Sequence, residues 1–166
     1  NYTKSRLLKA NVKQALKHPN WNMGKKISID SSTMMNKLFE VIEAKKIFNL
    51  PYNKIKILVH PKSYVHAIVK FDNGLTKIIL HEPKMIIPIH NSIYFDKYKK
   101  IENKELNFKI LNNLNFQSVD IKKFPLIKIL NILPAKDTLF ETALITINDY
   151  FVSIFLKKVI NYKELI

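Results

Sequence analysis

Glycine is almost absent from this chain, and its scarcity limits the folds and sites that the sequence can build. Only two glycines occur among 166 residues, Gly24 and Gly74. A nucleotide-binding βαβ unit needs a glycine-rich phosphate loop, so the chain carries no nucleotide-binding fingerprint. Turns must depend mainly on proline and asparagine instead. Predicted strands are followed by predicted helices without regular βαβ alternation, and this order predicts an α+β fold with a small, mostly antiparallel sheet.

The predicted strands lie in the middle of the chain. Segments 55–60, 64–71 and 75–81 are rich in isoleucine and valine, as strands usually are. Asp72-Asn73-Gly74 separates the last two segments. Asn-Gly between apolar runs is the strongest short-range hairpin signal, so these two strands are predicted to pair as a tight hairpin.

The clearest predicted helix covers residues 34–48, which contain neither glycine nor proline. Residues 26–30 alternate apolar and polar side chains and are predicted to form a short strand before it. Asp30, Ser31 or Ser32 is then placed to cap the helix N-terminus. Apolar side chains cover one broad face of the helix, and a narrow polar stripe runs along another.

The polar stripe at the start of this helix is a candidate ligand site. A helix N-terminus attracts anions, and the side chains of Ser31, Asn36 and Lys37 lie near that end, where they could hold a phosphate. The alternative is that Ser31 only caps the helix while the other two side chains are solvated. Glu40 and Glu43 are likewise either a metal ligand and its support or a solvated helix face.

The loop before the predicted strand contains the only tryptophan, Trp21, close to His18 and Met23. A single tryptophan is often an anchor of the core. In a loop beside a glycine it could instead form the apolar face of a lid that excludes water. Both interpretations stay open from the residues alone.

The net charge of +15 taken alone would favour a nucleic-acid partner. The lysines are scattered rather than clustered, however, and no sequence motif of a nucleic-acid-binding fold accompanies them. His60, His66 and His81 match no common zinc spacing, although His66 could reach a substrate. No apolar run reaches membrane-spanning length, so a soluble, cytoplasmic protein is expected. A basic nucleic-acid-binding module remains the alternative.

Four separated patches resemble 1-deoxy-D-xylulose 5-phosphate reductoisomerase, an NADPH-dependent family of isoprenoid precursor synthesis. They match that family in order and spacing from about His18 to Met85. The patches are His18-Pro19-Asn20-Trp21 with Met23-Gly24; Asp30-Ser31, Thr33-Met34-Met35-Asn36-Lys37 and Glu40; His60-Pro61, Ser63 and His66; and Glu82-Pro83 with Met85.

The resemblance implies a role for each matched residue. Ser31, Asn36 and Lys37 would hold the substrate phosphate. Glu40 would be one ligand of an essential divalent metal, magnesium or manganese. The residues implied in the lid and catalytic centre are His18, Trp21 and Met23, with Trp21 covering the substrate and His18 meeting its polar end. The remaining matched residues would line the pocket or contact the closed lid: His66, Pro83 and Met85.

The family reaction isomerises 1-deoxy-D-xylulose 5-phosphate and reduces it with NADPH to 2-C-methyl-D-erythritol 4-phosphate. The resemblance implies a homodimer that pairs through its sheet, with no nucleic-acid or membrane partner. It divides the chain into a catalytic and dimerisation domain at 1–96, a connector at 97–124 and the start of a helical C-terminal domain at 125–166. The NADPH domain and the other metal ligands would precede Asn1, so the isolated chain is expected neither to bind NADPH nor to turn over.

Three departures from the family pattern could weaken its function. Leu38 stands where the family usually has glycine, which adds bulk beside Lys37. Ile145 and Asp149 replace an asparagine and a glutamate around Asn148, which puts the polar support from the C-terminal domain in question. A non-catalytic remnant of the same fold is therefore the second alternative.

Overall fold

The computed structural model describes residues 7–17, 23–97, 99–102, 105 and 107–166. They form two compact units, one built from the stretches before residue 58 and after residue 118, the other from Leu58–Ser118. Helices and small antiparallel sheets occur together, which confirms the α+β class. The boundaries at residues 96 and 124 remain a prediction about domains, since the units describe packing alone.

The helices and strands follow one another with short connections. The α-helices are α1 (Val12–Ala15), α2 (Lys25–Thr33), α3 (Met35–Phe48), α4 (Ile86–Ile93), α5 (Phe108–Leu111), α6 (Phe140–Leu156) and α7 (Tyr162–Leu165). The strands are β1 (Leu58–Val59), β2 (Val65–Lys70), β3 (Thr76–Leu80) and β4 (Gln117–Ser118), and 3-10 helices span Tyr52–Lys54 and Pro125–Ile132. No helix among the residues described is long and apolar enough to cross a membrane.

The first unit is held together by two apolar clusters. One joins α2 to the C-terminal helices through Ile29, Val152, Phe155 and Tyr162, which are almost completely buried. The other packs the inner face of α3, including Leu38, against the 3-10 helix Pro125–Ile132. Helices α2 and α3 are consecutive in sequence, so each cluster fixes one of two neighbouring helices.

The strand predicted at 26–30 is wrong, because these residues lie within α2. Alternating side chains of a strand share a face, so Ile27 and Ile29 would have been buried together. In the structure Ile29 is fully buried while Ile27 is 48% exposed. The alternation in sequence is therefore accidental, and the buried set follows the helical period instead.

The helix predicted at 34–48 is confirmed as α3, but its predicted caps are wrong. Asp30, Ser31 and Ser32 all lie inside α2. The two helices are separated by Met34, whose φ of 62° and ψ of 15° place it in the left-handed region. The Thr33 hydroxyl accepts a hydrogen bond from the backbone N–H of Met35 at 3.3 Å and so caps α3 across this joint.

The second unit contains the predicted hairpin. Strands β2 and β3 pair antiparallel from Val65 with Leu80 to Lys70 with Thr76, which confirms the turn at residues 72–74. The remaining predicted strand is shorter than expected, and β1 pairs with β4 rather than with the hairpin. Sequence pattern did not reveal β4, since a two-residue strand is too short for a period to be recognised.

Replacing Gly74 by alanine is expected to destabilise the hairpin by about 1 kcal/mol, because Gly74 has a φ of +88° that strains any residue with a Cβ. Gly24→Ala is the matched control, since Gly24 has a φ of −57° and no atom within 4 Å of an added Cβ. Amide hydrogen exchange in residues 65–80 measures the effect. Equal exchange in both variants would contradict this explanation of the turn.

Candidate functional site

The predicted phosphate-binding residues lie on the two sides of the joint at Met34. Ser31 is half-buried in the last turn of α2, whereas Asn36 and Lys37 are half-buried in the first turn of α3. The left-handed residue between the helices determines how the two turns meet. A hydroxyl, an amide and an ammonium group are thus available within one short stretch of backbone.

The predicted metal ligand is hydrogen-bonded to the predicted phosphate ligand. Lys37 Nζ lies 2.6 Å and 2.7 Å from the two carboxylate oxygens of Glu40, three residues further along α3. The lysine side chain is 39% exposed and the glutamate side chain 53% exposed, so water screens the pair. A pair of this kind contributes little to folding and leaves both groups accessible to a ligand. Glu43 is also exposed.

Leu38 lies on the opposite side of α3 from this ion pair. It is completely buried and packs with Met35 and Ile42 in the second apolar cluster. The extra bulk relative to the usual family glycine is therefore taken up by the core. It does not project toward the accessible side of Lys37.

Charged and polar contacts hold α2 to α6. Asp30 is buried, and its Oδ1 accepts a hydrogen bond from Asn148 Nδ2 at 2.9 Å. Lys26 Nζ lies 2.6 Å from Asp30 and 3.0 Å from Asp149. Burial opposes the charge of Lys26, but hydrogen bonds to the two aspartates outweigh it and raise the pKa of its ammonium group. Asp149, which replaces a family glutamate, thus takes part in this support.

Helix α7 contacts the same turn of α2. The Tyr162 hydroxyl donates a hydrogen bond to the backbone carbonyl of Ser32 at 2.7 Å. The last carbonyls of a helix have no partner within it, so this bond satisfies one of them. Burial raises the pKa of Tyr162, and the hydrogen bond with Ser32 offsets part of that rise.

The second unit holds the other predicted pocket residues. His66 lies in β2 where the register with β3 shifts by one residue, between Val65 and Ala67. Such bulges redirect a side chain. The His66 ring stacks on the His81 ring at 3.6 Å, and its Nε2 is 3.2 Å from the His81 carbonyl oxygen.

The predicted lid contacts follow directly after His81. Pro83 is half-buried and Met85 is 56% exposed at the start of α4. His66 is therefore placed close in the fold to the segment that carries them. This supports the grouping of the three residues within the second unit.

Two predicted lid residues, His18 and Trp21, lie outside the described residues. Met23 is described and is half-buried, one residue before Gly24 at the N-terminus of α2. No group of three or more histidine, cysteine, aspartate or glutamate side chains that could hold a metal occurs within the described part of the chain. Glu40 is thus at most one ligand of a site that needs others.

Sequence reasoning missed the residues that support the site. Asp30 and Asn148 are 118 residues apart, and Ser32 and Tyr162 are 130 apart. No local pattern connects positions at such separations. The only available signal was an aspartate between two buried-type isoleucines and a serine, which is more consistent with a buried, paired carboxylate than with a cap.

Comparison with known families agrees with the geometry. The family model described as the 1-deoxy-D-xylulose 5-phosphate reductoisomerase C-terminal domain matches residues 1–48. A second, described as the DXP reductoisomerase C-terminal domain, matches residues 80–166. Together these matches include the α2–α3 joint and the C-terminal helices that support it.

Curated relatives carry the same name. The 1-deoxy-D-xylulose 5-phosphate reductoisomerase of Pelagibacter ubique is 58% identical over 154 residues, covering 93% of this chain and 40% of that protein. The one from a Sulfurihydrogenibium species is 40% identical, covering 93% of this chain and 41% of that protein. The chain thus spans about two fifths of the length of these relatives.

Solved structures have the same fold. A DOX-P reductoisomerase in complex with NADPH, fosmidomycin and magnesium superposes with a TM-score of 0.87 at 36% identity, over 99% of this chain and 40% of that one. The Zymomonas mobilis enzyme in complex with NADPH gives a TM-score of 0.79 at 30% identity, over 98% of this chain and 42% of that one. The chain belongs to the 1-deoxy-D-xylulose 5-phosphate reductoisomerase family.

Proposed function

We propose that this chain is the part of a 1-deoxy-D-xylulose 5-phosphate reductoisomerase that binds the substrate phosphate and supplies one metal ligand. The protein that contains it would isomerise the ketose phosphate and reduce it with NADPH to 2-C-methyl-D-erythritol 4-phosphate. The observation that carries this proposal is the arrangement of α3. Its buried face packs through Leu38, while Lys37 and Glu40 remain accessible on another face.

The phosphate would be held at the α2–α3 joint. A phosphate accepts hydrogen bonds from hydroxyl, amide and ammonium groups, and Ser31, Asn36 and Lys37 offer one of each. Lys37 is already paired with Glu40 at 2.6 Å, so the phosphate would compete with that carboxylate for the ammonium group. Because the pair is exposed, little free energy opposes the exchange.

The metal and the nucleotide need residues beyond those described. Glu40 is a suitable oxygen ligand for magnesium or manganese, but one carboxylate does not make a site. When bound, the metal would supply Lewis-acid polarisation of substrate oxygens. With only two glycines and no phosphate loop, the chain offers no NADPH site of its own. We propose that both sites are completed by another part of the protein.

A cytoplasmic homodimer is part of the same proposal. The β2–β3 hairpin supports it, since several large apolar side chains on these strands are exposed: Ile68, Val69, Ile78 and Ile79. Exposed apolar side chains concentrated on one hairpin are typical of an interface. Sedimentation of the intact protein would measure the oligomeric state directly.

A chimaeric enzyme tests the proposed activity. This chain would replace the matching two fifths of the Pelagibacter ubique relative, to which it is 58% identical. We expect oxidation of NADPH that depends on both the ketose phosphate and magnesium, because the relative supplies what this chain lacks. Absorbance at the nicotinamide band measures the rate.

Two outcomes would contradict the proposal. A folded chimaera that binds NADPH but ignores the ketose phosphate would identify the chain as a non-catalytic remnant. Tight, steeply salt-dependent binding of DNA or RNA, unchanged when Lys37 or Glu40 is replaced, would favour the basic nucleic-acid-binding module. The chimaera carrying intact relative sequence throughout is the positive control.

A further inference from the structure

Ser31 is the one proposed phosphate ligand that does not lie on α3, and its position depends on how the last turn of α2 is held. Met34 separates this turn from α3 with a left-handed φ of 62°. A backbone joint of a single residue can change direction by small rotations. Contacts from elsewhere in the fold are therefore needed to keep Ser31 in a fixed relation to Asn36 and Lys37.

The residues immediately before and after Ser31 supply those contacts. Asp30 is 3% exposed and accepts a hydrogen bond from Asn148 of α6 at 2.9 Å. The carbonyl of Ser32 accepts a hydrogen bond from Tyr162 of α7 at 2.7 Å. Ser31 thus lies between two anchored residues, and its own side chain remains only half-buried.

Both anchors are built into the core rather than the surface. Tyr162 is 1% exposed and packs edge-on against Phe155, with ring centroids 5.8 Å apart. Asn148 is buried, and its partner Asp30 is further paired with Lys26 at 2.6 Å. Buried hydrogen bonds of this kind fix geometry, because breaking them leaves a polar group without water.

We propose that Asn148 and Tyr162 are positioning residues, which set the Ser31 hydroxyl against Asn36 and Lys37 for a phosphorylated ligand. The inference rests on the proposed function, since it concerns the same phosphate site. Neither residue is expected to contact the substrate. Their effect is carried through Asp30 and Ser32 alone.

The test uses the chimaeric enzyme and separates positioning from stability. Tyr162→Phe removes only the hydroxyl group and should raise both the KM of the ketose phosphate and the inhibition constant of inorganic phosphate by about fivefold, the order expected for one hydrogen bond. The turnover number at saturating substrate should change by less than about twofold, since the missing bond affects phosphate binding. Tyr150→Phe is the matched control, because Tyr150 is 62% exposed on α6.

Asn148 is tested by an exchange of partners. Asn148→Asp places a carboxylate against Asp30 and should raise the KM by about tenfold or more. The double variant Asp30→Asn with Asn148→Asp restores a donor and an acceptor and should bring the KM back to within about threefold of wild type. A purely structural role would change the melting temperatures of these variants without this pattern in KM.

The possible failures are distinguishable. If Tyr162→Phe and the double variant lower the melting temperature but leave the KM and the phosphate inhibition constant unchanged, the positioning role is overturned and the proposed function stands. If the unsubstituted chimaera shows no turnover and is not inhibited by phosphate, the proposed function and this inference are overturned together.

Discussion

Replacing Lys37 by methionine is expected to lower the kcat/KM of the chimaeric enzyme by about 100-fold, mainly through a higher KM. A charge-assisted hydrogen bond to a phosphate contributes about 1.5–3 kcal/mol, and methionine keeps the length of the side chain while removing the charge. Lys37→Arg should recover part of the loss, because it restores the charge with a different geometry. Steady-state kinetics with varied ketose phosphate measure both variants.

Lys46→Met is the matched control for this prediction. Lys46 also lies on α3, its side chain is 40% exposed against 39% for Lys37, and it is likewise paired with an acidic residue, Asp137. Removal of one positive charge and one exposed ion pair is therefore common to both variants. If Lys46→Met loses as much activity as Lys37→Met, the effect is one of overall charge, and Lys37 is not a phosphate ligand.

Replacing Leu38 by alanine is expected to lower the free energy of unfolding by about 2–5 kcal/mol, the range for buried leucine truncations. Leu38 is completely buried between α3 and the 3-10 helix Pro125–Ile132, so its removal leaves a cavity in the second apolar cluster. Leu38→Gly should cost about 1 kcal/mol more, because glycine is a poor helix former. Urea unfolding followed by circular dichroism measures all variants.

Leu139→Ala is the control, since Leu139 is 81% exposed and its truncation should change stability by no more than about 0.5 kcal/mol. We also expect Leu38→Ala to leave the KM of the folded enzyme nearly unchanged, because Leu38 and Lys37 occupy different faces of α3. A small stability loss together with a large KM increase would mean that Leu38 shapes the phosphate site after all.

Local patterns were sufficient to predict the hairpin and α3. Asp72-Asn73-Gly74 between apolar runs specifies a tight turn because Gly74 tolerates its φ of +88°. Residues 34–48 lack helix breakers, and their apolar period matches the face buried in α3. In both cases the determining interactions join residues that are close in sequence.

The α2–α3 joint could not be predicted in this way. Met34 is left-handed without being glycine or asparagine, so no local preference marks it. Its conformation is maintained by burial of Ile29 on one side and Met35 on the other, in two different clusters. The family resemblance nevertheless placed Ser31, Asn36, Lys37 and Glu40 correctly along the chain. What it lacked was the tertiary support of Asp30 and Ser32.

The long sequence separation of this support has a consequence for biosynthesis. Asp30 is held by a residue 118 positions later and Ser32 by one 130 positions later. At a synthesis rate of about 5–20 residues per second, the ribosome needs roughly 6–24 seconds to complete the 118 residues that separate Asp30 from Asn148. During that interval α2 and α3 have left the ribosome without their anchors. The phosphate site is therefore among the last parts of the chain to be ordered, and nascent chains must remain unaggregated until α7 has been made.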